Sequence, residues 1–299
     1  MSDSRILIII LCYNGIELTR ACLQSLRGLA SPADVLVVDN ASSDGTAAIV
    51  RQEFPEVSVL ETGANLGYAG GNNVGLKVAL EQGYDFALLL NNDTEVASDF
   101  VAHLEAACDA DPTIAVAGPK VYYFDEPGRI YSAGGRIDWR TGFASMVGLD
   151  EEDRGQYEES AEVDFVSGCA LLVRCAVLPA VGLLDERFGM YYEETEWCVR
   201  IARAGGRVVY VPQSRIWHKI APAEQAQSPR VAYYMARNRL LFLRLTGAPP
   251  ATWVRAALGQ DARTWLSYSL RPKWRARRPQ RDALARGWRD FLRGRYGMA

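Results

Sequence analysis

Four apolar runs of strand length near the start of this chain each empty into a polar turn, and segments of helical pattern lie between them. Arg5 to Leu11 leads into Cys12-Tyr13-Asn14-Gly15, after which Leu18, Cys22, Leu23 and Leu26 recur at helical spacing. Val35 to Val38 closes in Asp39-Asn40-Ala41-Ser42-Ser43-Asp44-Gly45-Thr46, before a helix over Ala47 to Phe54. Val57 to Leu60 precedes the loop Asn65-Leu66-Gly67-Tyr68-Ala69-Gly70-Gly71-Asn72-Asn73 and a helix reaching about Gln82. The last run, Leu88-Leu89-Leu90, ends in Asn91-Asn92-Asp93. Such alternation predicts an α/β fold with a mostly parallel sheet and helices on both faces, because strands this apolar must be covered on each side. In that architecture the polar turns collect at the carboxyl edge, where ligands bind.

The 299 residues suffice for one large α/β domain with appendages or for two small domains. No apolar run approaches the roughly 18 residues needed to cross a bilayer, and Ile6 to Leu11 is too short for a signal sequence and reads as a buried strand. Six cysteines without a Cys-x-x-Cys pair, mostly inside apolar patterns, predict buried thiols in a reducing cytoplasm. The net charge of -3 conceals a division. Arg230 to Ala299 holds 16 Lys+Arg against 3 Asp+Glu, or +13, which leaves 17 against 33, or -16, for residues 1 to 229. An acidic body with a basic tail can meet nucleic acid, anionic lipid or an acidic partner. No nucleic-acid recognition motif accompanies the charge.

The turns narrow the chemistry. Neither Gly-x-Gly-x-x-Gly nor a Gly-Lys-Ser/Thr loop follows the first strand, which argues against a dinucleotide fold and a P-loop. Carboxylates and amides stand there instead. Asp39 can accept from a pyrimidine N–H or a ribose hydroxyl, the glycines of the Asn65 to Asn73 loop allow close backbone approach to a ligand, and Asp93 can hold a divalent cation against a diphosphate.

Tyr13-Asn14, Val37-Val38-Asp39-Asn40-Ala41-Ser42-Ser43-Asp44-Gly45, the Asn65 to Asn73 stretch and Asn91-Asn92-Asp93, in that order, resemble family-2 glycosyltransferases of the GT-A (Rossmann-like) fold, bacterial rhamnosyltransferase-type members above all. The resemblance covers roughly residues 5 to 245. It implies inverting, metal-dependent transfer of a sugar, rhamnose among the candidates, from a nucleotide-diphosphate sugar to a saccharide or lipid-linked saccharide in cell-surface polysaccharide synthesis. It implies Mg2+ or Mn2+ at Asp93 and His218, with Asp93 carrying most of the binding because Asn91 replaces the first acid of the usual Asp-x-Asp. Donor contacts are implied at Asn14, Asp39, Asn65, Gly70, Asn72, Asn91, Asn92 and Gly168. The catalytic base is implied at Glu194, with Glu193 the adjacent alternative.

The middle of the chain is less regular. Ala115 to Tyr123 reads as a strand, Gly134 to Asp138 as a turn, and Asp150 to Glu162 as a solvated acidic loop without chemistry. Asp164 to Arg174 returns to strand character, and Gly168-Cys169-Ala170 is either a turn near the donor sugar, as the resemblance implies, or a bulged core strand. Glu193, Glu194 and Glu196 open a helix in which Trp197, Ile201 and Ala204 share a face; acids there also complement the helix dipole. Val208 to Val211 makes a further strand before Trp217-His218, and Lys219-Ile220-Ala221 lacks the family's glycines. The expected division is a GT-A catalytic domain over 1–229 and a basic helical extension over 230–299, which serves peripheral membrane contact at the inner membrane face or a homodimer. A sugar nucleotidyltransferase would need a basic glycine-rich loop after the first strand, and a catalytically impaired nucleotide-sugar-binding protein is the other alternative.

Overall fold

The computed structural model describes residues 4–220 and 228–298; Ala221 lies outside the described residues. Twelve strands are assigned among them: β1 (Ile6–Cys12), β2 (Asp34–Asp39), β3 (Ser58–Glu61), β4 (Phe86–Asn91), β5 (Thr94–Val96), β6 (Ile114–Tyr123), β7 (Ile130–Ser132), β8 (Gly135–Asp138), β9 (Phe143–Met146), β10 (Ala161–Glu162), β11 (Ala170–Arg174) and β12 (Arg207–His218). The main sheet runs β10-β12-β6-β11-β4-β1-β2-β3, with β5 on β12 and β7 on β6. The β1, β2, β3 and β4 pairings and the β6–β12 pairing are parallel, while β11 is antiparallel to both its neighbours.

Period-2 alternation sorts β1 between two cores. Leu7 and Ile9 face one, with Leu76, Trp197 and Phe242; Ile6, Ile8 and Ile10 face the other, with Leu23, Val50 and Leu104. Both faces are therefore dry, and each such side chain contributes roughly 1.5–3 kcal/mol of transfer free energy. The helices covering them are α1 (Ile16–Leu26), α2 (Thr46–Glu53), α3 (Gly67–Glu81), α4 (Phe100–Ala110), α5 (Glu193–Arg203) and α6 (Pro229–Leu245). Beyond them, Pro250–Val254 continues through the π-helical Arg255–Asp261 into Ala262–Leu270, and α7 (Arg278–Leu292) packs back on α6. None of the described helices is long and apolar enough to cross a membrane. All six cysteines are free and buried.

Several expectations change. The stretch from Gly67 to Asn73 is the start of α3, and its glycines serve packing. A Cβ at Gly71 would lie 2.3 Å from Leu11 Cδ1 and one at Gly75 2.4 Å from Ile9 Cγ2, so the helix can lie on β1 only without side chains there. Gly134 to Asp138 is not a simple turn: Gly135–Asp138 pairs with β9, since Gly135 accommodates the Phe165 ring and Ile137 alternates inward. The acidic stretch 150–162 is bound to the domain, with Asp150 accepting from Tyr123 Oη at 2.7 Å and Asp153 from the buried Lys120 Nζ at 3.1 Å. Glu158 pairs with the same ammonium. The strand expected over 208–211 runs on past an irregularity between Val211 and Arg215 to His218. The expected boundary at 229/230 falls at the start of α6, whose Leu241 and Phe242 belong to the same core as the sheet.

Candidate active site

Strand register brings the polar turns to one edge. Cys12 pairs with Asp39 and Leu11 with Asn91, so the ends of β2, β1 and β4 lie side by side. The antiparallel β11 starts at that edge: Ala170 pairs with Leu90, and Cys169 O accepts from Asn91 N at 2.9 Å. Gly168 is thereby set beside Asn91. The long β12 ends there too, because His218 pairs with Thr94.

These ends enclose a cavity of about 230 Å³ whose lining includes Asn91, Asp93, Gly168, Glu193, Glu194 and His218. Asp93 Oδ1 lies 3.1 Å from His218 Nε2. The ring nitrogen approaches without the alignment a hydrogen bond needs, and Asp93 Oδ1 and His218 Nδ1 are both buried without a hydrogen-bond partner. An unsatisfied carboxylate oxygen beside an imidazole suits a cation better than it suits a closed ion pair. No group of three or more His, Cys, Asp or Glu converges among the described residues. Asp93 and His218 would thus hold Mg2+ or Mn2+ with diphosphate oxygens and water as its other ligands, the usual arrangement for these hard ions.

The acids at the start of α5 divide by environment. Glu196 is bidentate to Arg200, with Arg200 Nη2 donating to Oε2 at 2.7 Å, and serves structure. Glu193 is 4% exposed, and burial together with the neighbouring Glu194 charge pushes its carboxyl well above the usual range. Burial raises Glu194 to about 7. The half-buried Glu194 lines the cavity, and a carboxyl raised toward neutrality suits a general base.

The backbone that delivers them is unusual. Tyr191 and Tyr192 have φ of 67° and 75°, a left-handed pair of bulky residues. Asn238 holds them there from α6: its Nδ2 donates to Phe188 O at 2.9 Å, Met190 O at 2.7 Å and Tyr191 O at 2.8 Å. Arg237 donates to Gly297 O at 2.7 Å and to Phe188 O. Arg237, Asn238 and Arg239 are all buried, so the front of the basic segment is structural.

Other expected residues sit elsewhere. Asn14 and Asp39 form a second cluster at the same edge, where Asn14 Oδ1 accepts from Ser43 N at 2.9 Å and Asp39 Oδ1 from Ser42 N at 2.8 Å. Asn65 Oδ1 accepts from Asn40 Nδ2 at 3.1 Å and from Gly67 N at 2.9 Å, closing the start of α3. Asn72 is buried and donates to Tyr68 O at 3.0 Å, and Gly70 lies against Leu66 and Glu186, so helix geometry turns both from the loop role expected of them. Asn92 donates to Thr19 Oγ1 at 3.0 Å. Tyr68, Tyr131, Met146, Met190 and Tyr191 line the cavity without having been singled out. Tyr68, which donates to Gly168 O at 2.5 Å, belongs to the Asn65 to Asn73 stretch; Tyr131 and Met146 carry no sequence signal.

The model of glycosyl transferase family 2 matches residues 7–182. A Mycobacterium tuberculosis N-acetylglucosaminyl-diphospho-decaprenol L-rhamnosyltransferase is 31% identical over 206 residues, which cover 62% of this chain and 66%, just under two thirds, of that relative. The Shigella flexneri dTDP-rhamnosyl transferase RfbF is 27% identical over 223 residues, 72% of each chain. Among solved structures, the Pyrobaculum calidifontis mannosyltransferase PcManGT, in complex with GDP-Man and Mn2+, aligns at a TM-score of 0.62 with 17% identity, over 96% of this chain and 87% of that one. GalNAc-T7 with UDP, GalNAc and Mn2+ aligns at 0.61, also with 17% identity, over 90% and 58%. At these identities the structural likeness speaks for the GT-A fold alone.

Proposed function

We propose that this chain, which belongs to glycosyl transferase family 2, is a metal-assisted inverting glycosyltransferase that moves a sugar, rhamnose first among candidates, from a nucleotide-diphosphate donor to a saccharide or lipid-linked saccharide acceptor. The observation that carries this reading is the single cavity in which Asp93 and His218 share space with Glu193 and Glu194. Relatives named for rhamnosyl transfer, one of them to a diphospho-decaprenol acceptor, support the donor and acceptor classes. The family resemblance places such acceptors at the cytoplasmic face of the membrane, which would be this protein's place of work.

Asp39 and Asn91 flank the end of β1 two strand spacings apart, about 10 Å, a span that suits a nucleoside at Asn14 and Asp39 and a diphosphate at Asn91 and Asp93. A bound Mg2+ or Mn2+ would offset the negative charge that grows on the leaving diphosphate. Glu194 accepts the acceptor's hydroxyl proton as its oxygen bonds to the anomeric carbon and the bond from that carbon to the diphosphate oxygen breaks, inverting the centre. Burial and the neighbouring Glu194 charge raise the Glu193 carboxyl, which favours its neutral form beside an ionised Glu194 and points to Glu194 as the base.

A panel of nucleotide sugars, dTDP-rhamnose and UDP-sugars included, incubated with Mn2+ or Mg2+ and assayed for released nucleoside diphosphate, tests the reading. Donor-dependent release that stops on chelation is expected. Heat of donor binding without any release would instead identify a nucleotide-sugar-binding protein without turnover.

A further inference from the structure

The helical stretch Pro250 to Leu270 has two different sides. Gln260, Asp261, Thr264 and Tyr268 turn inward onto a cavity of about 200 Å³ shared with α6 and α7. Asp261 pairs with the buried Arg239 and accepts from Trp288 Nε1 at 2.8 Å, which fixes the helix's rotation. The outer side presents Leu258, Leu266 and Leu270, which are 65%, 48% and 75% exposed, around an open groove shared with Arg263 and Arg271. Neither arginine makes an ion pair among the described residues, and the nearby Arg255 and Arg275 make none either.

Exposed leucines flanked by unpaired cations are costly against water and favourable at an anionic lipid surface, where the leucines leave water and the guanidinium groups reach headgroup phosphates. The charge division orients the molecule: residues 230–299 carry +13 and the remainder -16, so a negative surface attracts this face and repels the rest. The cavities support the same orientation. The one beneath the helix shares Phe143, Tyr192 and Met235 with an apolar cavity of about 270 Å³, which in turn shares Met146, Tyr191 and Glu194 with the candidate active site.

We propose that the outer face formed by Leu258, Arg263, Leu266, Leu270 and Arg271 docks on an anionic lipid bilayer, setting the apolar cavities above the membrane as the path by which an amphiphilic acceptor reaches Glu194. The docking does not depend on the glycosyl-transfer reading, although the path rests on it; vesicle binding and donor turnover fail separately.

Truncating the chain before this helix would also remove α7, whose Gly287 rests on the backbone of Tyr233 and Arg237, so point variants are the sounder test. The full chain, Arg263→Glu/Arg271→Glu and Leu258→Ser/Leu266→Ser/Leu270→Ser are sedimented with phosphatidylcholine vesicles with and without phosphatidylglycerol, with thermal melts to verify folding. The expected result is binding that requires phosphatidylglycerol, falls about tenfold or more on charge reversal, weakens in the serine variant and is released by salt as the Debye length shrinks. Wild-type protein that stays in the supernatant at low salt overturns the proposal, as does unchanged binding by the charge-reversal variant. Light scattering that shows a dimer lost in the serine variant, without vesicle binding, assigns the face to a second copy. Short DNA or RNA that binds this face while vesicles do not assigns it to nucleic acid.

Discussion

Asp93 Oδ1 stands 3.1 Å from His218 Nε2 because β5 and β12 pair His218 with Thr94, the residue next to Asp93. A distant part of the chain is thus carried to the end of β4 by a strand that passes an irregularity between Val211 and Arg215 on the way. Lys219 N donates to Asp93 O at 2.8 Å and locks the meeting in place.

Replacement of Asp93 by Ala is expected to abolish Mn2+ binding and donor turnover while the melting temperature stays near wild type, because the carboxylate makes no hydrogen bond that the fold needs at Oδ1. His218→Ala should weaken metal binding less, since one carboxylate oxygen remains. Calorimetric titration with Mn2+ beside a thermal melt checks both; wild-type turnover in Asp93→Ala, or turnover indifferent to chelator, removes the metal from the mechanism.

Glu194→Gln is expected to keep donor affinity and lose about 10²- to 10⁴-fold in turnover, the usual contribution of a positioned base. Should Glu193→Gln be the inactive variant, the base lies one residue earlier.

The raised carboxyls also predict pH dependence. As a base, Glu194 must be ionised, so kcat/KM should rise with pH through about 7. Stability runs the other way. Burial raises both Glu193 and Glu194 above the ordinary carboxylate range in the folded state, so the folded state binds protons more tightly and stability is lost as pH climbs through the folded value. Between pH near 5 and pH near 8 the melting temperature of wild type should therefore drop more than that of Glu193→Gln. Parallel curves would show that Glu193 ionises without penalty.

Asn238→Ala leaves the carbonyls of Met190 and Tyr191 without this donor, while Phe188 O keeps Arg237. A loss of about 1–3 kcal/mol in stability is expected for such buried groups. Because those carbonyls hold the left-handed Tyr191 and Tyr192, turnover should fall with little change in donor KM. Steady-state kinetics well below the variant's melting temperature separates the two effects, and unchanged kcat there sinks the positioning role.

Gly75→Ala should destabilise the protein even though alanine favours helix. The new methyl would lie 2.4 Å from Cγ2 of Ile9, a β-branched side chain with no exposure and no room to turn. Overpacking of this kind costs about 1–3 kcal/mol, read as a lower urea midpoint with unchanged slope.

What the sequence determined by itself was local. Apolar runs of strand length fixed β1, β2 and β4 because a run as apolar as Ile6 to Ile10 can only be a strand covered on both faces, and the polar residues ending each run had to emerge at the carboxyl edge. The motifs Asn14, Asp39 and Asn91 to Asp93 were legible for that reason. The tertiary structure decided everything that depends on which segment lies beside which. Gly71 reads as a loop residue, yet it lies where α3 presses against Leu11 of β1, since a glycine's spacing does not say whether it frees the backbone or admits a neighbour. Arg237 and Asn238 read as part of a basic tail, yet burial against the carbonyls before Glu193 gives them donor work that charge counting cannot register. Tyr131 and Met146 reach the cavity only through β7 and the β8–β9 hairpin, pairings set by long-range contacts that no local pattern encodes. Likewise the differing roles of Glu193, Glu194 and Glu196 follow from burial and from the reach of Arg200, quantities that exist only once the chain has closed around them.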